Sequence, residues 1–169
     1  MTALSGKKAI LGVDPCHDGV AFVFCEDGAP VDWGTRRKDG RELEVLDTLI
    51  REYAPDLVIM EDPHQAAGCE RRARMRQSLR RFGRFCESLH LPVICVARRE
   101  VRDAWRMRGV TRKQAAAVEI AREFPDLAPY VPRPRKHSRE VPRERLFGIV
   151  DLVLHALRTK SRGSDRVAS

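Results

Sequence analysis

Two short apolar runs, Ile10-Leu11-Gly12-Val13 and Leu57-Val58-Ile59-Met60, each stop on a single carboxylate, Asp14 and Glu61. Unbroken apolar runs of this length are strands buried on both faces, so the chain must wrap a sheet in helices. Ending a buried strand on an acid is unfavourable unless the carboxylate meets a cation or a donor. A Mg²⁺ or Mn²⁺ ion meets that need, because hard cations take oxygen ligands. For either acid alone, capping of the next loop is the simpler reading. The pair together, in a chain of excess positive charge, points to metal.

The remaining elements follow from periodicity and turn residues. Residues 8 to 13, 20 to 25 and 29 to 35 read as a β-meander turning at Pro15, Asp18-Gly19 and Asp27-Gly28, with Asp14 at the first turn. Arg41 to Tyr53 sets Leu43, Leu46, Ile50 and Tyr53 on one helical stripe, closed by Ala54-Pro55, and Leu57 to Glu61 returns as a strand. Residues 70 to 90 form a helix with Met75, Leu79, Phe82, Phe85 and Leu89 inward, and Pro92 to Ala97 is a fifth strand. A helix from Arg99, a break at Gly109 and a helix from Thr111 to Phe124 come next. Five prolines between 125 and 142 predict a loop before a last helix, Arg143 to Arg158. The fold class is α/β, a mixed five-stranded sheet flanked by helices. At 169 residues one domain, 1–158, is expected, with 159–169 a disordered tail.

Lys and Arg number 32 against 24 Asp and Glu, a formal charge of +8. Such a balance implies an acidic partner, and arginine's fork suits phosphate. Arg71, Arg72, Arg74, Arg76, Arg80, Arg81 and Arg84 crowd one helix with no acid among them. A merely solvated face normally interleaves Glu for i,i+4 pairing, so nucleic-acid contact is favoured. A second basic cluster, Arg133, Arg135, Lys136, Arg139, Arg143 and Arg145, flanks the entry to the last helix. The five cysteines contain no C-x-x-C pair and are odd in number, which argues against a zinc knuckle or a disulfide framework. Met1 to Lys8 lacks a signal-peptide h-region, and no apolar run approaches membrane length. A soluble cytoplasmic protein, associated with the nucleoid when bound to DNA and without a membrane partner, is expected.

On the last helix Leu146, Ile149, Val150, Val153 and Leu157 form the inward stripe, while Glu144, Asp151 and His155 gather on another side. Asp151 lies nearest the stripe and is the best third ligand; Glu144 is a weaker one, and His155 reads as a polar-face residue. His17, His64 and His137 are loop residues placed to carry protons, with no spacing that fixes a role.

With Asp14 in Gly12-Val13-Asp14-Pro15, Glu61 after the next core strand and Asp151 on the terminal helix, the whole chain resembles the RuvC-like Holliday junction resolvases of the RNase H-like superfamily. The segment Pro92 to Ala117 lies on the family's equivalent without a gap, including Val101, Gly109 and Lys113. The resemblance implies a homodimeric endonuclease that resolves four-way DNA junctions by paired phosphodiester hydrolysis. It implies two Mg²⁺ or Mn²⁺ ions held by Asp14, Glu61, Asp151 and Glu144, with Arg102 and Lys113 near the scissile phosphate. The chain departs from the family at Gly148, where a fourth Asp or His ligand is usual, and Glu144 is the candidate substitute from one turn back. Cys16 replaces a family glycine, and the aromatic wedge loop becomes Asp62-Pro63-His64-Gln65-Ala66-Ala67-Gly68. Two alternatives share the fold: a non-catalytic nucleic-acid-binding module, in which Gly148 marks a lost ligand, and an RNase H-like nuclease for other branched DNA or hybrids. A sugar-kinase or actin-like phosphotransferase also begins with a strand ending in Gly-x-Asp, but that fold duplicates its core and this chain holds one copy.

Overall fold

The computed structural model describes residues 8–16, 19–37, 41–65, 70–133 and 142–164; of residues 70–72, 142–144 and 160–164 only the backbone is described. Three antiparallel strands open the fold: β1 (Ala9–Cys16), β2 (Gly19–Glu26) and β3 (Ala29–Arg37). The β2–β3 hairpin turns on Asp27 and Gly28, both at positive φ, the geometry that matches the twist of the strands. Next comes α1 (Glu42–Tyr53), with Glu42 and Glu44 in its first turn and Arg51 in its last, each at the end of the helix dipole that favours its charge. Ala54 in the left-handed region, followed by Pro55, ends that helix, and the chain returns as β4 (Leu57–Glu61). The rest is α2 (Glu70–Ser88), β5 (Val93–Val96), α3 (Arg98–Met107), α4 (Lys113–Glu123), a 3-10 helix (Pro125–Tyr130) and α5 (Pro142–Ser164).

The sheet has the order β3-β2-β1-β4-β5, with β1, β4 and β5 parallel and β2 antiparallel to β1, as the mixed five-stranded expectation requires. Strand periodicity divides the interior into two layers. Leu11, Val13, Val58 and Met60 face α1 and α2, where Leu46, Leu49, Leu79 and Phe82 complete a core. Ile10, Leu57 and Ile59 face the other side, where α5 brings Ile149, Val150 and Val153, and α3 and α4 bring Trp105 and Ile120. Asp14 and Glu61 are in phase with this second set, so both strands deliver their acids to the face that α5 covers.

Gly12 lets α5 lie that close. A Cβ there would stand 2.6 Å from Val153 Cγ2, 2.8 Å from Ile149 Cγ2 and 2.9 Å from Val23 Cγ1, so no larger residue fits between the central strand and the helix.

Several boundaries differ from the sequence reading. Asp14 lies within β1 rather than at its turn, because Pro15 and Cys16 continue the pairing with β2. The proline-rich segment is not all loop: Pro125–Tyr130 winds into a 3-10 helix that buries Leu127. Leu89, expected inward, lies past the end of α2 at 45% exposure, and Cys86 fills the stripe instead. Around α5 the buried set is wider than one stripe, adding Phe147, Leu152, Leu154 and Ala156, because the helix is sandwiched between the sheet and the α3–α4 layer. It also continues through Ser164, beyond the end that periodicity marks at Arg158. Among the described residues no helix is long and apolar enough to cross a membrane.

Candidate functional site

Parallel pairing sets Val13 opposite Met60, so the next residue on each strand, Asp14 and Glu61, are neighbours at the carboxyl ends of β1 and β4. Asp14 is 4% exposed and is the one buried charged residue among those described. A carboxylate this deep requires positive charge around it, and two guanidinium groups supply it. Arg98 Nη2 is 3.6 Å and Arg145 Nε 3.9 Å from Asp14 Oδ2.

Arg98 is the centre of the arrangement. It is the first residue of α3, and from there its Nε donates to Glu61 Oε2 at 2.9 Å while Nη1 donates to the Gly148 carbonyl at 3.1 Å. One side chain therefore collects oxygens from β1, β4 and α5. A Cβ on Gly148 would stand 2.8 Å from Arg98 Nη1, so the guanidinium tip would have to shift. The first turn of a helix repels a cation, so α3 itself does not favour Arg98 at that place; the two carboxylates do.

Asp151 meets a different partner. Its Oδ1 accepts a hydrogen bond from Trp105 Nε1 at 2.7 Å, and Arg108 lies over the Trp105 ring, 4.6 Å from its centroid. Burial pushes the Asp151 carboxyl up to about 6, against the pull of the Trp105 hydrogen bond and of Arg98, Arg158 and Arg108. A carboxyl whose folded pKa is raised binds its proton more readily in the native state, so its burial penalty is full above pH 6. That penalty disappears as pH falls through 6 towards 4. Asp151→Asn, which keeps the acceptor for Trp105, is therefore expected to stabilise the metal-free protein at pH 7.5 by about 1–2 kcal/mol, with the gain vanishing near pH 4. Thermal melts in a chelator at the two pH values check this; an equal or lower Tm at pH 7.5 would contradict it.

The remaining sequence candidates are dispersed. Glu144 lies on the first turns of α5, but its side chain is outside the described set. His155 Nε2 is 4.0 Å from Glu100 Oε2, so it faces α3 rather than the acid pair. Arg102 on α3 and Lys113 at the start of α4 are exposed, as are Arg74, Arg80, Arg81 and Arg84 on α2, while Arg76 is half-buried. The side chains of Arg71, Arg72 and Arg143 are not described, and His17, Arg135, Lys136, His137 and Arg139 lie outside the described residues. His64 is exposed in the turn after β4, where its N–H donates to Asp62 Oδ1. Because α2 and α3 follow β4 and β5, both start at the sheet edge where Asp14 and Glu61 lie, the edge at which parallel sheets bind ligands. The arginines of α2 then run away along the opposite face of the sheet, about 1.5 Å per residue. Arg98 and the Trp105–Asp151 hydrogen bond were missed by sequence reasoning. Gly148 was its only signal for either, read there as a missing ligand.

Solved structures decide the fold. Thermus thermophilus RuvC in complex with a Holliday junction substrate superposes with a TM-score of 0.60 at 12% identity, over 92% of this chain and 96% of that one. A second Thermus thermophilus RuvC structure gives 0.54 at 13% identity, over 90% and 96%. The fold is that of RuvC. The yeast mitochondrial Holliday junction resolvase Ydc2 has it too, with a TM-score of 0.59 at 13% identity, over 93% of this chain and 80% of that one. No family model and no curated protein sequence matches the chain.

On this RuvC-like fold the acid pair has the chemistry of a cation seat. Asp14 Oδ2, Glu61 Oε2 and the Gly148 carbonyl are hard oxygen donors drawn to one positive group, and hard divalent ions take such donors. Among the described residues no three His, Cys, Asp or Glu side chains form a ready cage. Asp14 and Glu61 are the residues that would hold an ion.

Proposed function

We propose that this chain is a divalent-metal-dependent endonuclease for branched DNA, acting at the Asp14–Glu61 notch and working as a homodimer that nicks opposed strands of a four-way junction. The observation that carries this reading is the pairing of two carboxylates at the carboxyl edge of β1 and β4, beneath α5, on a fold shared with a RuvC solved on a Holliday junction. A bound divalent ion supplies the Lewis acidity that activates water and offsets charge on the phosphate. Asp14 and Glu61 hold the positive charge in place, and the low exposure of Asp14 strengthens each interaction made there. Arg102 and Lys113, exposed on α3 and α4, meet the phosphate backbone and steady the charge that develops at the scissile group. Junction resolution needs two cuts related by symmetry, and a C2 dimer supplies two notches.

The test compares a mobile four-way junction with a matched duplex in Mg²⁺ and in Mn²⁺. Cutting of the junction in preference to the duplex supports the proposal. Cutting of duplex or flaps alone replaces it with a nuclease of other specificity. Tight binding without cutting in either metal replaces it with a non-catalytic module, a reading that the Arg98 guanidinium in the notch favours.

The α2 arginines carry a separate expectation. If Arg74, Arg80 and Arg84 follow a phosphate backbone, replacing all three with Ala lowers junction affinity and flattens the slope of log K against log salt by about one per lost contact. An unchanged slope would place the DNA elsewhere.

A further inference from the structure

The notch already contains a cation. A divalent ion bound by Asp14 and Glu61 lies about 2.0–2.6 Å from their oxygens. Arg98 Nε is 2.9 Å from Glu61 Oε2 and Nη2 is 3.6 Å from Asp14 Oδ2, so the same space is taken by the guanidinium. A divalent ion on those two oxygens would compete with the guanidinium for the same atoms. Three features show that Arg98 belongs there. Its hydrogen bonds reach Glu61 on β4 and the Gly148 carbonyl on α5, and its charge reaches Asp14 on β1. Gly148 presents no Cβ beside Nη1, where one would stand at 2.8 Å and oblige the guanidinium tip to shift. Its place on the first turn of α3 is one that the helix dipole disfavours, so the acids must hold it.

We infer that Arg98 is a built-in competitor for the metal: it neutralises the Asp14–Glu61 pair in the free protein, and a divalent ion binds only by displacing it. The inference rests on the reading of the notch as a metal site. It gives Gly148 a role other than that of a lost ligand, since its carbonyl accepts a hydrogen bond from the arginine.

The test measures Mn²⁺ binding by titration calorimetry in the absence of DNA, with folding checked by circular dichroism. Arg98→Met removes the competitor. This variant is expected to bind Mn²⁺ on the order of ten-fold more tightly than the unaltered protein, or to bind where it does not, because one unit of positive charge has left the notch. Adding Asp14→Asn to Arg98→Met should abolish the gain. Arg145→Met removes a charge 3.9 Å from Asp14 without emptying the notch and should give a smaller change. Equal affinities for Arg98→Met and the unaltered protein would overturn the inference. So would a gain that survives Asp14→Asn, or one matched by Arg145→Met. Junction cleavage reports separately: a protein that cuts DNA but shows no gain keeps the nuclease reading and loses the competitor. A gain in a protein that never cuts keeps the competitor and loses the nuclease.

Discussion

Asp14→Asn is expected to reduce cleavage of branched DNA by on the order of 10³-fold or more, because it halves the negative charge available to hold a divalent ion at the reacting phosphate. The exchange is nearly isosteric, and Arg98 keeps its hydrogen bonds to Glu61 and to the Gly148 carbonyl, so the notch retains its shape. DNA affinity should hold or rise slightly, since a buried negative charge facing the phosphate is gone. Single-turnover cleavage beside a binding titration separates the two effects. Cleavage within ten-fold of the unaltered protein would remove Asp14 from the chemistry, and a parallel loss of affinity would make its role structural.

Gly12→Val is expected to damage the fold severely. The new Cβ would meet Val153, Ile149 and Val23, all buried and all β-branched, at 2.6, 2.8 and 2.9 Å. Stiff side chains in a close-packed layer have no rotamer to retreat into, so α5 must lift from β1. A loss of about 3 kcal/mol or more follows, a large share of the 5–15 kcal/mol typical of a domain, with Tm lower by roughly 6–12 °C. The site falls with the fold, because α5 carries the Gly148 carbonyl that accepts from Arg98 beside the acid pair. A Tm within 2 °C of the unaltered protein would show that the β1–α5 contact is looser than described.

What the sequence disclosed was whatever a period or a stop could encode. The apolar runs before Asp14 and Glu61 identified β1 and β4, and the strand period that orders the core also turned both acids to one face. The meander was legible from Asp27-Gly28, and α1 from its stripe and its Ala54-Pro55 stop. Contacts between distant residues were not legible. Arg98 and Arg99 are adjacent arginines in Arg98-Arg99-Glu100, and only the position of α3 against β4 decides that Arg98 turns inward while Arg99 pairs with Asp103. Trp105 and Asp151 are 46 residues apart, and no spacing links an indole to a carboxylate across two helices. Gly148 was visible as a departure, but its meaning depends on the guanidinium that fills the space beside it. The 3-10 helix was hidden because prolines that usually mark a loop here set the dihedrals of a short tight turn around the buried Leu127.

The most direct measurement is a map of the nicks on an end-labelled mobile four-way junction incubated with Mn²⁺ and either the unaltered protein or Asp14→Asn. Nicks are expected at symmetric positions on two opposed strands, made by the unaltered protein and absent with Asp14→Asn. An intact junction under saturating protein and metal, or nicks that persist in Asp14→Asn, would contradict it.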